Sequence, residues 1–369
     1  MTPRHALAAA AFWLAVGLVQ IFNWGEAGPW KGLVLLALLL GAFLILHALR
    51  DAEPEAAPPG KALIALVIVL ALGELAYGGL RLAHPRLIDM ATTTLAAGQA
   101  MLAGGNPYTL PIDPELGGQF QGYKYLPVMP AVYLPLGLLL GPRGVLVTNM
   151  ILQAGCVALM LRLGRGRAGY TAAALYLALP LVAQQLFAKG STDLAAVLPL
   201  LAAFALTEKR PFASGICVGL SISAKLFPGL VFVPCLLPRD GGALRHYRWG
   251  IIAGLLPALP YLAADPKAFA DNIFVFNALR PPDTTSWLAF APDGAALLAK
   301  AAFIALFAAA SFYVWRRQPP LMARCAIGAA LTIAVILAAP SAHHNYMLWW
   351  LPFYALALAA VLQKPRAAL

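Results

Sequence analysis

The sequence predicts an all-α, polytopic helical membrane protein with about twelve transmembrane helices. Its 369 residues are 61% hydrophobic and only 11% charged, whereas soluble domains carry roughly 25% charge. The apolar residues recur in runs long enough to cross a bilayer, and such runs cross as helices because a helix satisfies its own backbone. The net charge of +11 comes from Lys and Arg gathered in short clusters between the runs, where membrane proteins keep them on the cytoplasmic side. These patterns exclude a soluble fold, a disordered chain, a coiled coil and a nucleic-acid-binding module.

Apolar runs of spanning length, about 17 to 25 residues, occur near 6–23, 31–49, 61–83, 145–161, 169–187, 249–264, 296–315, 321–340 and 346–363. The first, which follows Arg4, reads as an uncleaved helix because further spans succeed it. Three more runs are settled by charge. Residues 192–206 are a little short, 211–237 are interrupted by Lys225 and Pro228, and 126–141 contain three prolines. If 126–141 crossed, the clusters Arg162 to Arg167 and Arg239 to Arg248 would break the positive-inside rule. With 126–141 half-buried at the outer surface and 211–237 folded as two short helices meeting near Lys225, every basic loop becomes cytoplasmic. Both termini then lie inside. The expected location is a bacterial inner membrane.

The chain divides as one membrane domain, 1–369, in three stretches. Two extra N-terminal spans occupy 1–60. A core occupies 61–237 with its outward loop at 84–144. C-terminal helices occupy 238–369 with outward loops at 265–295 and 340–345. The four cysteines, Cys156, Cys217, Cys235 and Cys325, lie in apolar runs, where a thiol behaves as a small hydrophobe, so neither a disulfide nor a cysteine metal site is expected.

The unusual chemistry falls in the outward loops. Asp89 precedes a stretch of good helical propensity, with Ile88, Ala91, Leu95 and Leu102 on one face, so this segment is expected to lie in the interface with that face in lipid. Asp89 is there either a general base at the water–lipid boundary or a helix N-cap. The turn Gly104-Gly105-Asn106-Pro107-Tyr108 closes the segment. In Tyr123-Lys124-Tyr125 the lysine either snorkels among aromatics or binds phosphate. Gln184, Gln185, Lys189, Gly190 and Asp193 stand at the junction of two spans, and adjacent glutamines in an apolar helix end must face protein or water. Lys225 in mid-run either snorkels or meets an anion. Asn272, Asn277, Arg280 and Asp283 form one polar loop; His343, His344 and Asn345 form another. Adjacent histidines diverge on a helix and make a poor metal site. One carboxylate with scattered cations on one side of the membrane is what transfer from a lipid-linked anionic carrier requires.

In this order the motifs resemble the membrane glycosyltransferases of the GT-C class, and within it family 87, the bacterial polyprenol-phosphate-mannose-dependent mannosyltransferases. The resemblance rests on Ile88-Asp89, Gly104 to Tyr108, Tyr123 to Pro127, Lys189-Gly190 with Asp193, and Gly219-Leu220 with Lys225 to Pro228. It covers roughly residues 61–237, with His344 and its loop beyond. It implies a GT-C-like fold with interfacial helices in the first outward loop. It also implies an inverting transfer of a hexose, mannose above others, from a polyprenyl-phosphate-linked donor to a lipid or glycan acceptor on the outer side. By analogy Asp89 is the catalytic base. Lys124, Lys189, Lys225, Arg280, His343 and His344 are then expected to serve the donor phosphate. Asn106, Tyr108, Tyr123, Tyr125, Gln184, Gln185, Asp193 and Asn345 are left to the sugar and acceptor. The donor is a substrate, so no cofactor and no metal are expected. One departure follows Asp89: relatives carry a polar-aromatic pair where this chain has the plain stretch Met90 to Thr94, which bears on the identity of the sugar. The rival class is a transporter or lipid-carrier flippase, motivated by Glu74, Lys225 and the broken helices.

Overall fold

The computed structural model describes residues 30–49, 58–112 and 120–363; the expected helix at 6–23 and both termini lie outside the described residues. The described elements are α1 (Trp30–Leu49), α2 (Lys61–Ala83), α3 (Asp89–Leu102), α4 (Val128–Leu140), α5 (Pro142–Gly164), α6 (Gly166–Leu177), α7 (Pro180–Ala183, continued by a π turn to Ala188) and α8 (Leu194–Leu206). The second half adds α9 (Pro211–Ala224), α10 (Leu226–Phe232), α11 (Gly241–Leu255), α12 (Leu259–Ala264), α13 (Pro266–Ala270), α14 (Phe276–Leu279), α15 (Ala295–Arg317), α16 (Leu321–Ala338) and α17 (Met347–Leu362).

Among the described residues five helices are long and apolar enough to cross a bilayer: Lys61–Ala83, Pro142–Gly164, Ala295–Arg317, Leu321–Ala338 and His344–Leu362. The pair Gly166–Leu177 and Pro180–Ala188, bent by 62°, makes a sixth. The protein is thus a multi-pass membrane protein, but the described helices do not reach the expected dozen, because proline and glycine cut several runs short. Pro180 opens a new helix where one span was expected over 169–187. The 249–264 run is interrupted by a 3-10 turn at Leu256–Ala258, which contains Pro257.

The core is α17, buried over nearly its whole length and apolar on all sides, as befits a helix enclosed by others. Phe353 of α17 meets Phe232 at 4.2 Å and Phe204 at 5.3 Å between ring centroids. α16 is buried beside it. The ends of the elements sort into two levels. At one level the Ile88 amide donates to the Lys189 carbonyl (3.0 Å) and the Asp283 amide to the Pro340 carbonyl (2.9 Å). At the other, Gln318 Nε2 donates to the Leu237 carbonyl (3.1 Å), and the basic groups Arg162, Arg165, Arg167, Arg245, Arg248, Arg316 and Arg317 lie toward this end.

α3 and α4 lie side by side at the first level, running oppositely: Leu134 approaches Gly98 and Leu95 approaches Gly137. This corrects one expectation. Ala91 is fully buried beside Met129 and Tyr133, with Leu95 packed on the same cluster, so that face of α3 meets α4 and not lipid; Leu102 alone of the four stays exposed.

α9 and α11 run parallel and touch through backbone. Gly215 abuts Gly250, and Gly219 abuts Gly254; a Cβ at Gly219 would lie 2.8 Å from Gly254 Cα and collide with the Ile251 carbonyl oxygen. These are two Gly-x-x-x-Gly repeats, Gly215 to Gly219 and Gly250 to Gly254, and small residues at this spacing let helices in lipid approach closely. Since α9 and α11 point the same way, α10 must return between them: Gly229 packs on Ile222, and Lys225, extended at φ −147° and ψ 119°, forms the tip. The expected pair of short helices meeting at Lys225 is present. Gly219→Leu should cost about 3 kcal/mol or more, because neither backbone can yield without parting the helices. The check is thermal unfolding in detergent, and an unchanged transition would contradict this packing.

Candidate active site

Five stretches of chain, at 89, 120–125, 225–227, 273–283 and 346–349, line a cavity of about 500 Å³ at the first level of the bundle, with Asp89, Lys124, Tyr125, Lys225, Arg280 and Asp283 among aromatic and apolar side chains. Asp89 is the first residue of α3. The capping position belongs to Ile88, while Asp89 Oδ1 accepts from the Met90 amide at 2.8 Å. Its side chain is otherwise exposed and belongs to the cavity wall. The start of a helix suits a carboxylate, because the unpaired amides there favour negative charge.

Lys124 is drawn into the fold. Its ammonium donates to the carbonyls of Phe120 and Gly122 and, at 2.8 Å, to Asn272 Oδ1, and lies 5.1 Å from the Phe276 ring centroid. Asn272 Nδ2 in turn donates to the Tyr108 carbonyl (3.1 Å). Lys124 therefore pins the stretch before α4 to the π turn Asp271–Val275. Behind it, Tyr108 donates to the Tyr125 carbonyl (2.8 Å), and the Tyr123 hydroxyl bonds Thr94 (2.9 Å). Asn106 Oδ1 accepts from the Tyr108 amide (3.1 Å). Burial pushes the phenols of Tyr108, Tyr123 and Tyr125 above their ordinary range; of the three only Tyr125 lines the cavity, and Tyr108 and Tyr123, expected to meet sugar or acceptor, are buried behind it.

Arg280 Nη2 pairs with Asp283 Oδ2 at 2.6 Å, and its guanidinium lies 5.7 Å from the Phe276 ring. The loop carrying both is laced to the chain before α17: Ser286 Oγ donates to the Ala339 carbonyl (2.8 Å), and the Ala342 amide donates to Thr285 Oγ1 (3.0 Å). Arg280 also lines a second, mostly apolar chamber of about 400 Å³ between the π turn, α15 and α16, walled by Phe274, Phe303, Ile304, Val335 and Ile336, with Lys300 at its edge. Tyr346 and Trp349, stacked at 4.3 Å, line both chambers. The whole arrangement offers a polar chamber with an open carboxylate and cations beside an apolar one, with Arg280 lining both.

Asp193 and Asn345 sit behind the Lys225 wall, both buried, with Asn345 Nδ2 donating to Asp193 Oδ2 at 2.7 Å. Lys189, Gln184, Gln185 and His344 are not among the residues lining either chamber. Gln185 is buried in the π turn and Gln184 is exposed. Lys300, Phe276 and Trp349 were missed. Lys300 is the lone cation near the start of an apolar run, and this was the signal available for it.

His343 stands near four charges. Burial holds its imidazole below the ordinary value of 6.5; Asp283 opposes this, Arg280 and Lys225 reinforce it, and Asp89 opposes it. Above about pH 6.5 both folded and unfolded states carry neutral imidazole. Below it the unfolded state takes the proton first, so this residue makes stability fall as pH drops. Melting curves between pH 7.5 and 5 should therefore show a smaller acid loss for His343→Gln than for the parent. An identical loss would remove His343 as its source.

The model of glycosyltransferase family 87 matches residues 123–340. Among solved structures, ArnT from Cupriavidus metallidurans bound to undecaprenyl phosphate is similar in fold, with a TM-score of 0.56 at 14% identity, covering 81% of this chain and 60% of that one. Its apo form gives a TM-score of 0.53 at 14% identity, covering 83% and 61%. This chain thus spans about three fifths of the length of ArnT. No curated protein matches it in sequence.

Proposed function

Because the chain belongs to glycosyltransferase family 87, we propose that this membrane glycosyltransferase moves a hexose, mannose above others, from a polyprenyl-phosphate-linked donor to a lipid or glycan acceptor, with inversion at the sugar. The observation that carries the reading is a pair of adjacent chambers that share lining residues, Arg280, Tyr346 and Trp349 among them. An apolar chamber beside a polar one, with Arg280 at their junction and Lys300 at the apolar edge, suits a ligand with a hydrocarbon tail and an anionic head. ArnT holds such a ligand, undecaprenyl phosphate, in a similar fold.

In the proposed step Asp89 takes the proton of an acceptor hydroxyl as its oxygen attacks the anomeric carbon. The bond from that carbon to the phosphate oxygen breaks, and the electron pair leaves with the polyprenyl phosphate. Arg280 and Lys225 balance the charge that develops there. Charge stabilisation comes from these side chains, and the step invokes no metal or cofactor. The basic groups at the opposite end of the bundle support an inner-membrane orientation with cytoplasmic termini and the chambers facing the periplasm. Glu74, which motivated a transporter, bonds Gln153 Nε2 at 2.7 Å and lines neither chamber.

Native mass spectrometry of the purified protein tests the donor class. A co-purifying polyprenyl phosphate is expected, displaced by added undecaprenyl phosphate; failure to retain any such lipid, even when supplied in excess, would contradict the reading.

A further inference from the structure

We propose that Asp193 is a positioning residue that acts through Lys225, fixing a desolvated ammonium at the cavity wall to meet the leaving phosphate. The proposal rests on the donor reading above. Asp193 is fully buried, and the chain itself supplies four side-chain donors to it. Lys225 Nζ (2.6 Å) and Trp349 Nε1 bond Oδ1; Asn345 Nδ2 (2.7 Å) and Ser191 Oγ bond Oδ2. A carboxylate has about four lone-pair sites, so no acceptor capacity remains for a sugar hydroxyl. The donors come from the turn before α8, the α9–α10 tip and the start of α17, three segments far apart in sequence.

Lys225 is only 5% exposed, yet it lines the polar cavity. Its Nζ lies 4.9, 5.3 and 4.9 Å from the ring centroids of Tyr125, Tyr346 and Trp349 and 3.5 Å from Met90 Sδ. Three aromatic faces attract a cation and exclude water from it. A buried ion pair is a poor means of gaining stability, since an apolar pair of similar volume serves as well or better. What an apolar pair cannot do is hold positive charge beside a cavity. Asp89 lines the same cavity, so the held ammonium and the base that takes the acceptor proton face one space. In the step, Lys225 keeps its protons and donates hydrogen bonds while the phosphate oxygen receives the electron pair of the breaking bond.

The test compares Asp193→Asn, Lys225→Met and the double variant, each purified and reconstituted, by melting temperature and by kcat for transfer from a polyprenyl-phosphate sugar. Each single variant strands a buried charge and should melt well below the parent. The double variant removes both charges and should recover the parent's melting temperature, while its kcat stays roughly tenfold to a hundredfold down, the loss expected for one charge-assisted hydrogen bond. Recovery of transfer together with stability would make the pair a packing element and overturn the proposal, as would a double variant that stays unstable. An inactive parent overturns the donor reading itself, and is distinguished by failing before any variant is compared.

Discussion

Transfer by Asp89→Asn should fall by about two to four orders of magnitude, the range for loss of a positioned base, with folding and donor binding retained. The structure explains why the two effects separate. The Asp89 side chain makes one hydrogen bond within the chain, from the Met90 amide, and an Asn oxygen accepts it equally well. The Asn side chain keeps the volume and the wall of the cavity, and loses only the capacity to take a proton. Asp283 lines the same cavity but is engaged by Arg280, by the Thr285 amide (2.8 Å) and by the Thr285 hydroxyl, so it is poorly placed to substitute. Steady-state rates on reconstituted protein provide the check. An Asn variant turning over near the parent rate would remove Asp89 as base.

Arg280→Gln should raise the donor KM roughly tenfold to a hundredfold, the value of one charge-assisted contact to phosphate, with a smaller effect on stability. Its pairing with Asp283 is partly exposed, at 31% and 28% of the side chains, and such pairs contribute little to folding. A donor KM equal to the parent's, at an unchanged melting temperature, would move the carrier phosphate away from the junction of the chambers.

Much of the framework was legible because local signals and global placement agree. The start of α3 at Asp89 and the break at Lys225 follow from turn residues and from the cost of a cation in an apolar run. The boundaries of α2 and α17 follow from composition and flanking charge. The Gly-x-x-x-Gly pair was present in the sequence, but only the backbone shows that the two repeats face each other. The partners of the site cations were not legible. Lys225 meets an aspartate 32 positions away, that aspartate meets Asn345 across 152 positions, and Lys124 meets Asn272 across 148. No spacing rule reaches so far. Expectations that treated Lys124 and Asp193 as open ligand groups could not foresee that the chain's own donors and acceptors engage them. The apolar chamber is likewise assembled from four separated stretches, 226–227, 273–280, 300–304 and 335–349, each of which reads as an ordinary membrane helix or loop.

The central claim is transfer from a polyprenyl-phosphate carrier. The most direct measurement supplies protein reconstituted in vesicles with radiolabelled polyprenyl-phospho-mannose or, separately, with the same sugar as its nucleotide diphosphate, in the presence of membrane lipid and glycan acceptors. The account predicts labelled product and free polyprenyl phosphate from the first donor alone, reduced by about two to four orders of magnitude in Asp89→Asn. Product formed from the nucleotide sugar in the absence of any polyprenyl carrier would contradict it.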